Sequence, residues 1–138
     1  MSINLQEIIS YKTNRIMNEF HSDKLKPKLK SIVILLAYYS WSFFGKRIVL
    51  TDIFRTQKEQ DKIYKNNKAY QKKPFQSVHQ FWRGVDIRVR KDSLTKKEAQ
   101  TLTNIANTIQ YDTKRPILKT ALFGDSLHKS HIHIQVNN

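Results

Sequence analysis

The chain has 138 residues, 39% of them hydrophobic, with three prolines and three glycines; this is one domain's worth of sequence, able to bury one core, and the composition excludes a disordered chain. It has no cysteine, which excludes disulfides, thiol nucleophiles and thiolate metal sites together. A formal net charge of +14 attracts polyanions, whether nucleic acid, anionic lipid or an acidic wall polymer, without choosing among them.

The opening residues, MSINLQEIISYK, lack the basic stretch, apolar core and small-residue cleavage site of a secretory signal. The expectation is a protein made in the cytoplasm that reaches any outside target by release. Residues 4–20 carry helical spacing, with Leu5, Ile8, Ile9, Ile16 and Phe20 near one face. Ser22 or Asp23 is placed to cap a second helix with Pro27 in its first turn, running to Phe44 and stopping at Gly45. Its apolar run, Ile32 to Phe44, spans 13 residues between Lys30 and Lys46. A membrane span needs about 20, so a buried core helix is expected and no transmembrane segment.

From Arg47 the pattern changes. Residues 47–54, RIVLTDIF, read as a strand, and 55–67 as a helix with a polar face. Residues 68–78 read as a basic loop containing Pro74. RGVDIRV, 83–89, alternates like a strand. Ser93 or Thr95 can open a helix to about Ile109, with Glu98 in capping-box spacing from Thr95. ILKTALF, 117–123, and SHIHIQV, 130–136, complete about four strands. The order predicts one α+β domain over 1–138: a helical part, 1–46, and a core, 47–138, built on a small antiparallel sheet with helices packed on it.

Chemistry-bearing residues concentrate in that core. His131 and His133 alternate, so they project from one face of their strand while Ile132 and Ile134 face the other. An isolated His-x-His is most simply a polar outer face. Here it is not isolated, because four of the five histidines fall in two clusters. The second cluster holds His79 and Asp86, the latter between Val85 and Ile87. A carboxylate in that apolar setting needs a partner. One of the 25 lysines and arginines would serve, and so would a cation such as Zn²⁺. His79, Asp86 and one C-terminal histidine supply three N/O ligands and leave a fourth position for water, the layout of a catalytic zinc site.

His79-x6-Asp86 followed by His131-x-His133 resembles the zinc peptidases of peptidoglycan: D-alanyl-D-alanine carboxypeptidases, L-alanyl-D-glutamate endopeptidases of phage lysis enzymes, and penicillin-insensitive murein endopeptidases, with a fold similar to the hedgehog signalling domain. The family motif Ser-x-His-x-x-Gly-x-Ala-x-Asp is matched by Ser77, His79 and Asp86. Trp82 stands at the usual glycine and Gly84 at the usual alanine. LTDIFRTQKEQDKIY, 50–64, resembles the family's strand–turn–helix TSgyRTxxeQ through Arg55, Thr56, Glu59 and Gln60. The resemblance covers about residues 47–136.

The resemblance implies a zinc-dependent hydrolase of peptide bonds in peptidoglycan, of phage-lysis or wall-remodelling type, with anionic wall polymers drawn by charge. It implies His79, Asp86 and His133 as zinc ligands, and Arg55, Gln60 and Ser77 on the substrate side. Many carboxypeptidase members carry a carboxylate base at the place of His128. The spacing His128-x-x-His131-x-His133 is similar instead to the murein endopeptidase branch, and makes His128 and His131 the candidate bases. Asp125 is a competing base, read more simply as a turn residue after Gly124. Two alternatives stand beside this reading. One is a catalytically inactive zinc-binding module, motivated by Trp82 and the missing carboxylate. The other is a nucleic-acid binder using the basic, aromatic stretch 62–75. Charge alone gives only weak, salt-sensitive binding, and phosphate contacts give no reason for the histidines, so no specific nucleic acid is expected.

Overall fold

The computed structural model describes residues 4–109, 119–125 and 127–137. In chain order the elements are α1 (Leu5–Ile8), β1 (Ile9–Tyr11), α2 (Asn14–Phe20), α3 (Pro27–Phe44), β2 (Ile48–Asp52), α4 (Gln57–Ile63), α5 (Lys68–Lys72), a 3-10 turn (Val78–Phe81), β3 (Gly84–Arg88), α6 (Lys96–Ile109), β4 (Ala121–Leu122) and β5 (His131–Gln135). The architecture is mixed α/β, with a sheet ordered β1-β2-β3-β5-β4.

The helix expected over 4–20 is broken, and the N-terminal part is not purely helical. Asn4 caps α1 and Thr13 caps α2, and between them Ile9, Ser10 and Tyr11 pair in parallel with Ile48, Val49 and Leu50. The open edge of β2 gives these residues a backbone partner that helical spacing cannot reveal. The sheet is therefore antiparallel from β2 to β4, as expected, with one added parallel edge. Helix α3 begins at Pro27 and ends at Gly45, whose φ of 65° is the left-handed geometry of a helix stop. Ser22 and Asp23 do not cap it. Lys26 takes the cap position without a side-chain bond, and Ser22 Oγ accepts from the Lys24 N–H in the preceding turn. Residues 68–72, expected as loop, form α5, started by the Asn67 side chain accepting from the Tyr70 N–H. The strand expected at 117–123 is β4; residues 117 and 118 lie outside those described.

The alternation of β3 and β5 separates core from site. Val85, Ile87, Ile132 and Ile134 are buried and join Leu29, Ile32, Val33 and Leu36 of α3 and Ala99, Leu102 and Ala106 of α6 in one cluster. Among the described residues no helix is long and apolar enough to cross a membrane. On the other side of the sheet Asp86 lies directly across from His133, so the two side chains share a face. That face carries the polar cluster.

Candidate metal centre

Three short segments deliver the cluster. His79 sits on the 3-10 turn opened by Ser77, whose Oγ accepts from the His79 N–H while Gln80 Oε1 accepts from the Ser77 N–H. Ser77 is thus a capping residue as well as part of the cavity lining. The turn ends at Trp82 with φ of 60°, a left-handed geometry that favours glycine. Its indole stacks on Phe54 at 4.6 Å, and its carbonyl accepts from the Lys26 N–H. Gly84 then enters β3 with no room for a side chain. A Cβ there would stand 2.7 Å from Val78 Cγ2, 3.2 Å from His79 Nδ1 and 3.3 Å from His133 Cε1. The two departures from the resembled motif are thus accommodated locally.

His79, Asp86 and His133 are 2%, 6% and 7% exposed. One ligand atom from each lies within 4.8 Å of the others, and the group can hold a metal ion. Their outward bonds set the ring orientations. His79 Nδ1 lies 3.0 Å from the Ile53 carbonyl, which only accepts, so this nitrogen carries the proton and donates. Gln135 Nε2 donates to the Lys119 carbonyl, which turns Gln135 Oε1 toward His133 Nε2 at 3.1 Å, and that nitrogen donates in turn. The inward nitrogens, His79 Nε2 and His133 Nδ1, then present lone pairs to Asp86 Oδ1 at 3.2 and 2.9 Å. Three acceptors that converge in a buried space demand positive charge between them: extra protons on both rings, or one cation. Fixing a ring by its outer nitrogen while the inner one points at a metal position is how liganding histidines are held.

The electrostatics agree. Burial disfavours the ionised carboxyl of Asp86, but the charge of His79 and hydrogen bonding with His133 and His79 outweigh it and hold the group well below the usual carboxylate range. Burial likewise opposes a charged His79, and the Asp86 carboxylate overcomes it, so the imidazole is raised above its ordinary value.

His131, half-buried, stands just outside this group, its Nε2 3.8 Å from Asp86 Oδ2. Burial keeps it below the ordinary histidine value, with the neighbouring histidines adding to the effect against Asp86. His128 lines the same groove, its ring centroid 5.3 Å from those of both His131 and His133. Its Nδ1 is 2.7 Å from Asp125 Oδ1. Burial pushes the Asp125 carboxyl up, but bonds from the His128 ring and the Leu127 and His128 amides bring it below the usual range. Asp125 is a turn residue, as expected, and it also orients His128, which sequence reasoning missed. Arg55 and Gln60 meet in the same region, but Arg55 is not free. Its guanidinium donates to Asp52 Oδ2 at 2.5 Å and to Gln60 Oε1 at 2.8 Å. Gln60 is fully buried and lies behind the cavity, holding Arg55 and the Phe75 carbonyl.

The part before Arg47 takes part as well. Arg15 forks onto Glu59 at 2.7 and 2.9 Å and reaches Glu19 at 2.8 Å, while Glu19 Oε1 accepts from the Phe54 N–H. This clamp holds the Ile53–Arg55 turn whose carbonyl fixes His79. The only sequence signal for it was the i, i+4 pair Arg15 and Glu19.

Fold and geometry together define a mixed α/β domain with a buried two-histidine, one-carboxylate centre at the floor of a groove. Comparison with protein-family models, with curated proteins and with solved structures gives no match.

Proposed function

We propose that this chain is a zinc-dependent peptidase acting on the peptide bonds of bacterial peptidoglycan at the cell wall. The observation that carries the reading is the pair of inward-facing imidazole nitrogens converging on a buried carboxylate, with an Asp125–His128 pair lining the same groove. Two nitrogens and one oxygen without thiolate suit zinc. His79 Nε2, Asp86 and His133 Nδ1 would hold it. When bound, the ion activates water and polarises the substrate carbonyl.

The remaining chemistry belongs to the side chains. His128 Nδ1–H donates to Asp125 Oδ1, which leaves Nε2 with its lone pair as a base. His131, kept neutral by burial, is the second candidate in reach of the groove. One of them takes a proton from the attacking water, and the same imidazole returns it to the leaving nitrogen. Peptidoglycan is chosen by the motif resemblance and by the +14 charge, which attracts an anionic wall. The inactive-module alternative loses its first motive, because the Trp82 and Gly84 departures leave the three ligands converged. The nucleic-acid alternative loses its stacking surface in part: Tyr70 is buried and stacks with Tyr64 at 5.1 Å.

The test is incubation of zinc-loaded protein with purified peptidoglycan, following new amino groups and metal content on one sample. His128→Ala lowers turnover about 10²–10⁴-fold while zinc content stays unchanged. Full activity in that variant removes His128 from the mechanism. No cleavage by metal-loaded wild type removes the hydrolytic reading.

A further inference from the structure

Helix α3 has an outer face that neither the core nor the metal centre uses. Its inner face packs Leu29, Ile32, Val33, Leu36 and Ala37 into the core, and a surface helix ordinarily carries polar residues on the opposite side. Here Leu35 (47% exposed) and Phe43 (70%) stand in solvent. Tyr39 lies between them, so the three follow one another at four-residue spacing along the helix. The Tyr39 and Phe43 rings stack at 4.4 Å, which holds the ridge in place. Single exposed apolar side chains are ordinary, whereas a contiguous ridge marks an interaction surface.

Charge decides what covers it. From Lys24 to Arg47 the chain carries Lys24, Lys26, Lys28, Lys30, Lys46 and Arg47, and no Asp or Glu. Four of these surround the start of α3 and two follow its end, so the ridge runs between two basic clusters. Lys46 is paired with Glu98 at 2.7 Å. Lys24 and Lys30 lean over the Trp82 and Phe20 rings, which leaves their charge in place. Past the end of the helix, Lys46, Arg47 and the exposed Lys91 line a cavity of about 500 Å³ with Trp41 as an apolar wall. The carboxylate in that lining, Asp92, is bound by Arg90 at 2.8 Å.

A second copy of this chain would set like charge against like charge. A nucleic acid or a wall polymer would answer the lysines and leave Leu35 and Phe43 in water. An anionic bilayer meets both features, with headgroup phosphates on the basic clusters and acyl chains under the ridge. Aromatic side chains favour that boundary. No described helix is long and apolar enough to cross a membrane, so α3 would lie along the surface.

We infer that the outer face of α3 docks this protein on an anionic phospholipid bilayer. The inner face of α3 packs with Val85, Ile87, Ile132 and Ile134, while Asp86 and His133 share the other side of the sheet. A docked molecule therefore turns its metal groove away from the lipid. The inference does not depend on the hydrolytic reading.

The experiment sediments the full-length protein with vesicles of phosphatidylcholine alone and with vesicles of phosphatidylcholine mixed equally with phosphatidylglycerol. Wild type should pellet with the mixed vesicles and stay in solution with the neutral ones. Leu35→Ser and Phe43→Ser together should weaken binding about tenfold or more. Both side chains are exposed, so the circular dichroism spectrum should not change. Lys28→Glu with Lys91→Glu, also at exposed positions, should weaken binding by a similar factor. Wild type that ignores the mixed vesicles overturns the inference, as does equal binding to both kinds. A double-serine variant that binds like wild type also overturns it, because the attraction is then charge alone. A wild-type dimer in sedimentation equilibrium that the two serines dissociate assigns the ridge to a second copy and overturns the lipid reading.

Discussion

Adding one methyl group at Gly84 gives a sharp test of how the centre is built. Alanine is the residue at that place in the motif this chain resembles, so resemblance alone predicts a harmless change. The structure predicts otherwise. The new Cβ would lie 2.7 Å from Val78 Cγ2, 3.2 Å from His79 Nδ1 and 3.3 Å from His133 Cε1. Val78 is β-branched, so it must leave its rotamer or the turn it shares with His79 must shift. Overpacking of this kind costs about 1–3 kcal/mol, and for a chain of this size about 4 °C of Tm accompanies each kcal/mol. The two imidazoles in contact belong to the three residues that could hold a metal, and misplacing ligand-supporting groups lowers metal affinity about 10–100-fold. Thermal unfolding and zinc affinity by chelator competition on Gly84→Ala measure both effects. A variant with wild-type Tm and affinity within about twofold would refute the packing argument.

Other changes probe separate links. Asp125→Asn removes the carboxylate that orients His128 and should lower kcat about tenfold or more without loss of zinc; steady-state kinetics beside metal analysis will show it. Glu19→Ala leaves the Phe54 N–H and the Arg15 guanidinium short of a partner. It should cost about 1–3 kcal/mol in urea unfolding, and Glu19→Gln should recover part of that. Glu98 is paired with Lys46 at 2.7 Å. Burial raises its carboxyl, yet the Lys46 and Thr95 hydrogen bonds bring it below its ordinary value. A depressed folded-state pKa stabilises above the unfolded value of about 4.3 and is lost as pH falls through the folded one. The stability gap between wild type and Glu98→Gln in denaturant titrations should therefore be full at pH 6 and shrink toward pH 3.

Elements whose local chemistry and tertiary role agree were readable from sequence. The Thr95–Glu98 capping box forms, Gly45 stops α3, and the alternation of Ile132 and Ile134 against His131 and His133 assigned the faces of β5 correctly. A period of two placed His131 and His133 on one face of β5, and the grouping of His79, Asp86 and His133 was expected only from the motif resemblance, because Asp86 and His133 meet across strands 47 residues apart in the chain. What stayed hidden depends on partners distant in the chain. Residues 9–11 share helical spacing with their neighbours, and only the open edge of β2 makes them a strand. The Ile53 carbonyl that fixes His79 is a backbone atom, invisible to any pattern of side chains. Asp52 reads as part of the strand over 47–54, yet its carboxylate accepts from Arg55 Nη2 three residues on. Asp125 reads as a turn and is also the partner of His128.

The central claim is that His79, Asp86 and His133 form one metal centre. Its most direct measurement is metal content of the protein as purified and after zinc reconstitution, for wild type and for His79→Ala and Asp86→Ala, with folding checked by circular dichroism. The account predicts about one zinc per chain in wild type and loss of it in both variants while the fold persists. A folded wild-type protein that takes up no metal, or variants that keep it, would contradict the account.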